Sequence, residues 1–572
     1  MLKRITIKFT ILFFIIFVNI VDSAEVYYLS QVDENTTAQS TTSYTLSQRI
    51  KDIFDFSSDR DYSQRSGILT GRFTQEVDFQ EVSGNKSKSF LIDGWKYISE
   101  LNLNLKEKIL KGFNFEVQSF LRKTDNIRVE TENEVKLKQV KIRVYNIKNF
   151  FEFGDFYKEL SPFVLGSSLY GFNFDLKPNN FSSYHLILAR KYREENISGS
   201  LQRNVFGFKT EQYLFRDSDL FSNFRLGLQL ASSFKNSNSF SYDAIVENGL
   251  KNIVFSIDGD INFVKYFSFS YELANSGFLQ DDSSQTIKDM QYATALRLQP
   301  TFNYKKLNLR YLYYYVQPKF YTEFGSASSD KIQHQLTLGC SFSDKFSFNI
   351  VENYYFDRLS GSNLDKRTIN DNKYLNFIIK PFNKNFSLRP YINYLVQSTE
   401  GISSTEKITK TAGFNLNGEL KKNISFGSNY EYRVYEDKTN DKLENFNRLG
   451  LNFNYESFVF KRRISFTSGV GFEERKTKDD IYDLNLNFSI NGQYDVVRNI
   501  ILRLGYNINN MNTNRANSDF ITNRYFVEVN FDIYRKKNTN FVLSFEKNNY
   551  KHEDKTQNYE ETKFVGKFSS NF

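Results

Sequence analysis

Cysteine, histidine, tryptophan and methionine are nearly missing from this chain. Its 572 residues include 1 Cys, 3 His, 1 Trp and 3 Met. A single cysteine excludes a disulfide scaffold and a cysteine-rich zinc or iron–sulfur site. Three histidines leave little room for imidazole-based metal chemistry, and no cofactor is expected. A long run of one charge is also lacking. Lys+Arg 75 against Asp+Glu 66 gives a diffuse net charge of +9, which does not call for nucleic acid. Mean hydropathy is -0.52, and after the N-terminal segment no apolar stretch is long enough for a membrane helix. Aromatic residues are abundant instead, at 17%, with Phe 59 and Tyr 37. That content excludes disorder, which requires few aromatics and low hydrophobicity.

The N-terminus has the order of an export address. Met1-Leu2-Lys3-Arg4 is basic, Ile5 to Val21 is mostly apolar, and Val21-Asp22-Ser23-Ala24 supplies small residues for cleavage. Residues 1–23 are therefore expected to be a signal peptide, an uncleaved anchor being the alternative. Residues 24–65, rich in Ser, Thr, Asp and Gln, read as a polar periplasmic leader.

From about residue 66 the pattern has period two. Tyr482, Leu484, Leu486, Phe488 and Ile490 alternate with Asp483, Asn485, Asn487, Ser489 and Asn491. Leu449, Leu451, Phe453 and Tyr455 alternate with Gly450, Asn452, Asn454 and Glu456. Tyr525 to Ile533 alternates likewise, with Phe526 on the polar side as the exception. Short turns, such as Asn146–Asn149 and Ser343–Lys345, are interleaved with polar stretches that read as long loops, among them Gln317–Lys331, Gln397–Lys407 and Asn548–Thr562. Long amphipathic strands close either as a soluble sandwich, apolar side inward, or as a membrane barrel, apolar side outward. Strand length, the short–long alternation and aromatic clusters at strand ends (Tyr311–Tyr315, Tyr354–Phe356) favour the membrane. The expected fold is an all-β, transmembrane, antiparallel up-and-down β-barrel over residues 66–572. It should have about 26 strands, within roughly 22–28, with short periplasmic turns and long extracellular loops.

The last ten residues, Lys563 to Phe572, place Phe564, Phe568 and the terminal Phe572 on one face. This resembles the closing strand of bacterial outer-membrane β-barrel proteins, departing from it at Ser570, where an aromatic or bulky apolar residue is usual. The resemblance implies that Phe564, Phe568 and Phe572 form an assembly signal. It further implies outer-membrane location, with membrane lipid and the barrel assembly machinery as partners. A second stretch, Phe153-Gly154-Asp155-Phe156 followed by Ser161-Pro162 and Leu169-Tyr170-Gly171-Phe172, looks like one in some large surface-exposed or secretion-related barrels.

Two clusters bear on function. Lys136, Lys138, Lys141 and Arg143 alternate with apolar residues whose phase slips by one, which predicts a bulge near Gln139. Facing the lumen, these four cations would favour anionic solutes; the alternative is pairing with carboxylates of neighbouring strands. His185 lies near Ser182 and Ser183, but the surrounding residues do not match a membrane hydrolase, so no catalytic or metal residue is assigned. The expected function is a non-catalytic porin-like channel or exporter. An adhesin or structural barrel acting through its loops is the alternative, and an outer-membrane hydrolase is the least favoured.

Overall fold

The alternation becomes strand almost throughout. The computed structural model describes residues 68–572 apart from 111, 131–132, 193–201, 217–220, 236–250, 264–265, 280–289, 358–366, 382–384, 402–403, 516–517 and 535–537. The signal peptide and leader expected over 1–65 lie outside the described residues, as do the weakly patterned segments 197–201 and 239–246. The first strands are β1 (Ile68–Gly84), β2 (Gly94–Leu110), β3 (Phe113–Thr124), β4 (Lys136–Tyr145) and β5 (Asn149–Ser161). Next come β6 (Leu165–Asn179), β7 (Ser182–Tyr192), β8 (Gln202–Arg216), β9 (Phe221–Lys235), β10 (Lys251–Phe263), β11 (Phe267–Leu279), β12 (Gln291–Tyr304) and β13 (Leu307–Val316). They are followed by β14 (Lys331–Ser343), β15 (Phe346–Asp357), β16 (Arg367–Ile379), β17 (Phe386–Glu400), β18 (Thr405–Lys421), β19 (Ile424–Asp437) and β20 (Lys442–Val459). The remainder are β21 (Arg462–Thr477), β22 (Tyr482–Val497), β23 (Ile500–Thr513), β24 (Phe520–Tyr534), β25 (Thr539–His552) and β26 (Tyr559–Asn571).

Each strand pairs antiparallel with the next, and β1 pairs with β26, so the 26-stranded sheet is a closed barrel. Closure leaves no edge whose backbone groups would go unsatisfied in hydrocarbon. The seam is completed at its tip, where Gly71 N–H donates to Phe572 O at 2.9 Å and Phe572 N–H donates to Gly71 O at 3.0 Å. The Phe572 ring lies over Gly71, where a Cβ would stand 2.4 Å from it.

The apolar face is the exposed face. Leu449, Leu451, Phe453 and Tyr455 are 38%, 48%, 39% and 37% exposed. A soluble sandwich would bury this row, whereas a membrane barrel presents it to lipid. Aromatic bands flank it. Near the rim that carries the chain ends, Phe215, Phe221 and Phe263 make ring contacts at 5.8 and 5.1 Å. Near the opposite rim, His334 packs against Tyr311, Tyr313 and Tyr354. Such bands match the two polar–apolar interfaces of a bilayer.

Several stretches that read as loops are strand. β17 reaches Glu400 and β18 begins at Thr405, while β25 reaches His552 and β26 begins at Tyr559. Strands of up to 18 residues, as in β20, exceed what a tilted crossing of hydrocarbon requires. Their ends stand in water, so both faces are polar there and the hydropathy signal fades while the ladder continues.

Candidate functional site

The lumen is the candidate site, and its wall has two chemically distinct sectors. In the first, around β3 to β5, the four cations singled out from the sequence meet carboxylates. Lys138 Nζ lies 2.6 Å and Lys136 Nζ 3.7 Å from Glu130, in the segment between β3 and β4. Arg143 lies 2.8 Å from Glu152 and 3.7 Å from Glu116, and Lys141 lies 3.8 Å from Glu152. The hydrogen bond from Lys138 holds the Glu130 carboxyl below the usual glutamate range, with the charges of Lys138, Lys136 and Arg122 acting in the same direction. The register of β3 with β4 shifts between Phe120 and Leu121, opposite Gln139 and Leu137. Asp155 stabilises that bulge by accepting from Val140 N–H at 2.8 Å. Gly154, at φ +113, passes so close that a Cβ would sit 2.1 Å from Val140 O. The Gly154-Asp155 pair thus braces a bulge.

Farther round, β5 to β10 carry interlocked charges on the lumen face. Asp175 bonds both Lys158 and His185 at 2.7 Å. Arg225 lies 2.8 Å from Glu211 and 2.6 Å from both Asp258 and Asp260. Ser183 Oγ donates to Glu211 at 3.0 Å, so this hydroxyl and the His185 imidazole engage different carboxylates.

Two segments at the rim opposite the chain ends fold into this sector. They are the tip between β5 and β6, with Phe163 at its centre, and residues 317–330 between β13 and β14. Phe163, Phe320 and Phe324 are 0%, 2% and 5% exposed. They pack on small lumen-facing residues: Ala231, Val254, Ala274, Ala293 and Ala295. These lie opposite the lipid-facing Leu188, Phe255 and Leu273, so the cluster is inside the barrel. The two segments bond to each other, Gly166 N–H to Phe324 O at 2.7 Å and Ser326 N–H to Pro162 O at 2.9 Å. Polar anchors tie 317–330 to the wall. Glu323 accepts from Arg203 at 2.9 Å and from Ser233, and Asn252 donates to Tyr321 O at 2.9 Å. Sequence reading passed over this plug because residues 317–331 look like an ordinary polar loop. The available signal was alanine at the otherwise polar lumen positions of β9, β11 and β12.

The second sector, β14 to β24, carries amides and glycines. A cavity of about 550 Å³ is lined there by Asn429, Gly450, Asn452, Gly469, Gly471 and Asn487, with the charged Arg448, Glu473 and Arg524 and intervening apolar residues such as Val470 and Phe488. The terminal aromatics lie on the other side of the wall. Phe564 and Phe572 are 49% and 44% exposed to the outside, and Phe568 contacts Phe73 across the seam at 6.4 Å between ring centroids.

No protein-family model matches this chain, and no curated protein matches it in sequence. Solved barrels do resemble it. The siderophore receptor PirA from Pseudomonas aeruginosa is 10% identical over 88% of this chain and 80% of that one, with a TM-score of 0.36. The P pilus usher PapC translocation pore is 8% identical over 88% and 99%, with a TM-score of 0.36. A BenF-like porin from Pseudomonas fluorescens Pf-5 is 10% identical over 89% and 99%, with a TM-score of 0.26. At such identities no site residue carries over from them.

Proposed function

We propose that this chain is a non-catalytic, porin-like channel of the bacterial outer membrane, assembled there by the barrel assembly machinery after removal of residues 1–23. One observation carries the reading: a closed 26-stranded barrel whose apolar face is outside and whose polar face lines a wide lumen. Strands about 4.8 Å apart and tilted about 40° give 26 strands a backbone diameter of roughly 50 Å for a circular section. The inward segments cover the wall from β6 to β13, and the opposite wall keeps its polar residues facing the lumen. On this reading a water-filled passage runs beside the plug.

Purified protein in planar lipid bilayers should produce stepwise conductance. A sample whose SDS mobility shifts on heating, and which is therefore folded, but which passes no current would overturn the channel reading and leave the loops as the functional surface. Selectivity is the finer part of the proposal. The stripe Lys136, Lys138, Lys141 and Arg143 adds four positive charges beside Glu116, Glu130 and Glu152, and replacing all four with Gln should move the reversal potential in a salt gradient toward cations.

A further inference from the structure

The register of the second sector lines up amides and glycines in a continuous row. Asn415 faces Asn429, Asn429 faces Gly450, and Gly450 faces Gly471. Gly471 then faces Asn487, Asn487 faces Asn509, and Asn509 faces Thr522. Thr522 faces Tyr550, which stacks on Tyr559 with ring centroids 4.2 Å apart. A parallel row runs beside it through Asn417, Gly427, Asn452, Gly469, Ser489 and Asn507. Both rows lie on the lumen face, because the residues between them, Leu451, Val470 and Phe488, are among the outward-exposed apolar side chains.

The glycines make the row smooth. A Cβ on Gly450 would stand 2.3 Å from Asn429 Oδ1, and one on Gly469 would stand 3.1 Å from Asn452 Oδ1. The amides thus lie across neighbouring glycine backbones instead of standing into the lumen. Charges of both signs border the trough: Arg448 lies 3.9 Å from Glu473, Arg524 lies 2.8 Å from Glu546, Arg389 faces Asn415 at one end, and Glu561 accepts from the Tyr550 hydroxyl at 3.2 Å at the other. The row is also inclined. Eight steps of about 4.8 Å across strands tilted about 40° climb roughly 25 Å, most of the hydrocarbon thickness.

The geometry points to a binding track for a neutral, polyhydroxylated chain, an oligosaccharide, along Asn429, Gly450, Asn452, Gly471, Asn487 and Asn509. Asn429, Asn452 and Asn487 each offer two N–H donors and a carbonyl acceptor, the complement of vicinal hydroxyls that both donate and accept, and Asn509, whose Oδ1 is buried, adds its donors. The Tyr550–Tyr559 pair at the end of the row supplies a flat apolar surface for a sugar ring face. Bordering charges of both signs give no one-sided attraction to an ionic solute, and repeated neutral sites let a chain advance without a deep well at any one position. The inference deepens the channel reading and rests on the lumen being open to solute.

Isothermal titration of the full-length, detergent-solubilised barrel with maltohexaose tests it without requiring conduction. The wild type should bind. Asn452→Ala/Asn487→Ala/Asn509→Ala should weaken binding about tenfold or more, since several modest hydrogen bonds are lost together. Asn376→Ala, on β16 outside the rows, should bind like the wild type. Heat-dependent SDS mobility confirms that each variant is folded, and Asn487→Ala alone, with a smaller loss, serves if the triple variant is not. Three results would each overturn the inference: no binding by the wild type, unchanged binding by the folded variants, or tighter binding of an anionic hexagalacturonate than of maltohexaose. Failure of the channel reading is separate, and would show as silent bilayers with the titration intact.

Discussion

Replacing Phe320 and Phe324 together with alanine should release residues 317–330 from the lumen wall without unfolding the barrel. Both rings are almost fully buried, in a cluster with Phe163 and the alanines of β9, β11 and β12. Truncating a buried Phe to Ala costs about 3–5 kcal/mol, so the pair removes up to about 6–10 kcal/mol of docking energy. The polar anchors to the wall include Glu323 with Arg203 and Ser233, Asn252 with Tyr321 O and Glu323 N–H, and Ser276 with Tyr321 N–H. At about 1 kcal/mol for each neutral hydrogen bond and 1.5–3 kcal/mol for a charged one, they cannot hold the segment alone against its regained entropy. The strand ladder is untouched, so the heat-dependent SDS shift should keep its midpoint. Limited trypsin treatment of the reconstituted barrel gives the readout. Lys319 precedes the buried Phe320, so the wild type should resist cleavage after Lys319. The double variant should be cut there, and its single-channel conductance should rise. A folded variant that stays resistant with unchanged conductance would refute the claim that aromatic burial holds the segment in place.

Two further outcomes follow from the seam and the basic strand. Deleting Phe572 removes both hydrogen bonds to Gly71 and the ring over it, about 1–3 kcal/mol from the bonds alone. If the terminal Phe is an assembly signal, folded yield in the outer membrane should fall well beyond what that loss explains; a fall no larger than that of Phe73→Ala, which loses a seam aromatic but keeps Phe572, would count against the signal. Glu130 is held below the ordinary carboxylate range, so its pairing with Lys138 and Lys136, and the stability that pairing contributes, persists above that range and is lost only as pH falls through the lowered value. Reversal potential should therefore stay level from neutral pH down to about 4 and drift toward anions below it, and Glu130→Gln should produce that drift at neutral pH. A reversal potential left unchanged by Glu130→Gln at neutral pH would place these charges outside the ion path.

Period-two alternation over some five hundred residues gave strands and a strand number near 26, and strand length, the short–long alternation of connections and aromatic strand ends favoured a barrel over a sandwich. The period reports which residues share a face, and the exposed row of Leu449 to Tyr455 is that face turned to lipid. The bulge near Gln139 and the common face of Phe564, Phe568 and Phe572 were legible for the same reason, being local breaks or continuations of phase. Three features needed the tertiary structure. Strand ends such as Asn548–His552 read as loop because both faces are wet there, and only the partner strand shows that the ladder continues. The Phe320–Phe324 plug joins residues far apart in sequence, and its energy lies in alanines that leave room for the rings. The amide track is a property of register: Asn429, Gly450, Gly471 and Asn487 sit on four different strands, and a one-residue slip in any of them would carry its residue to the lipid side.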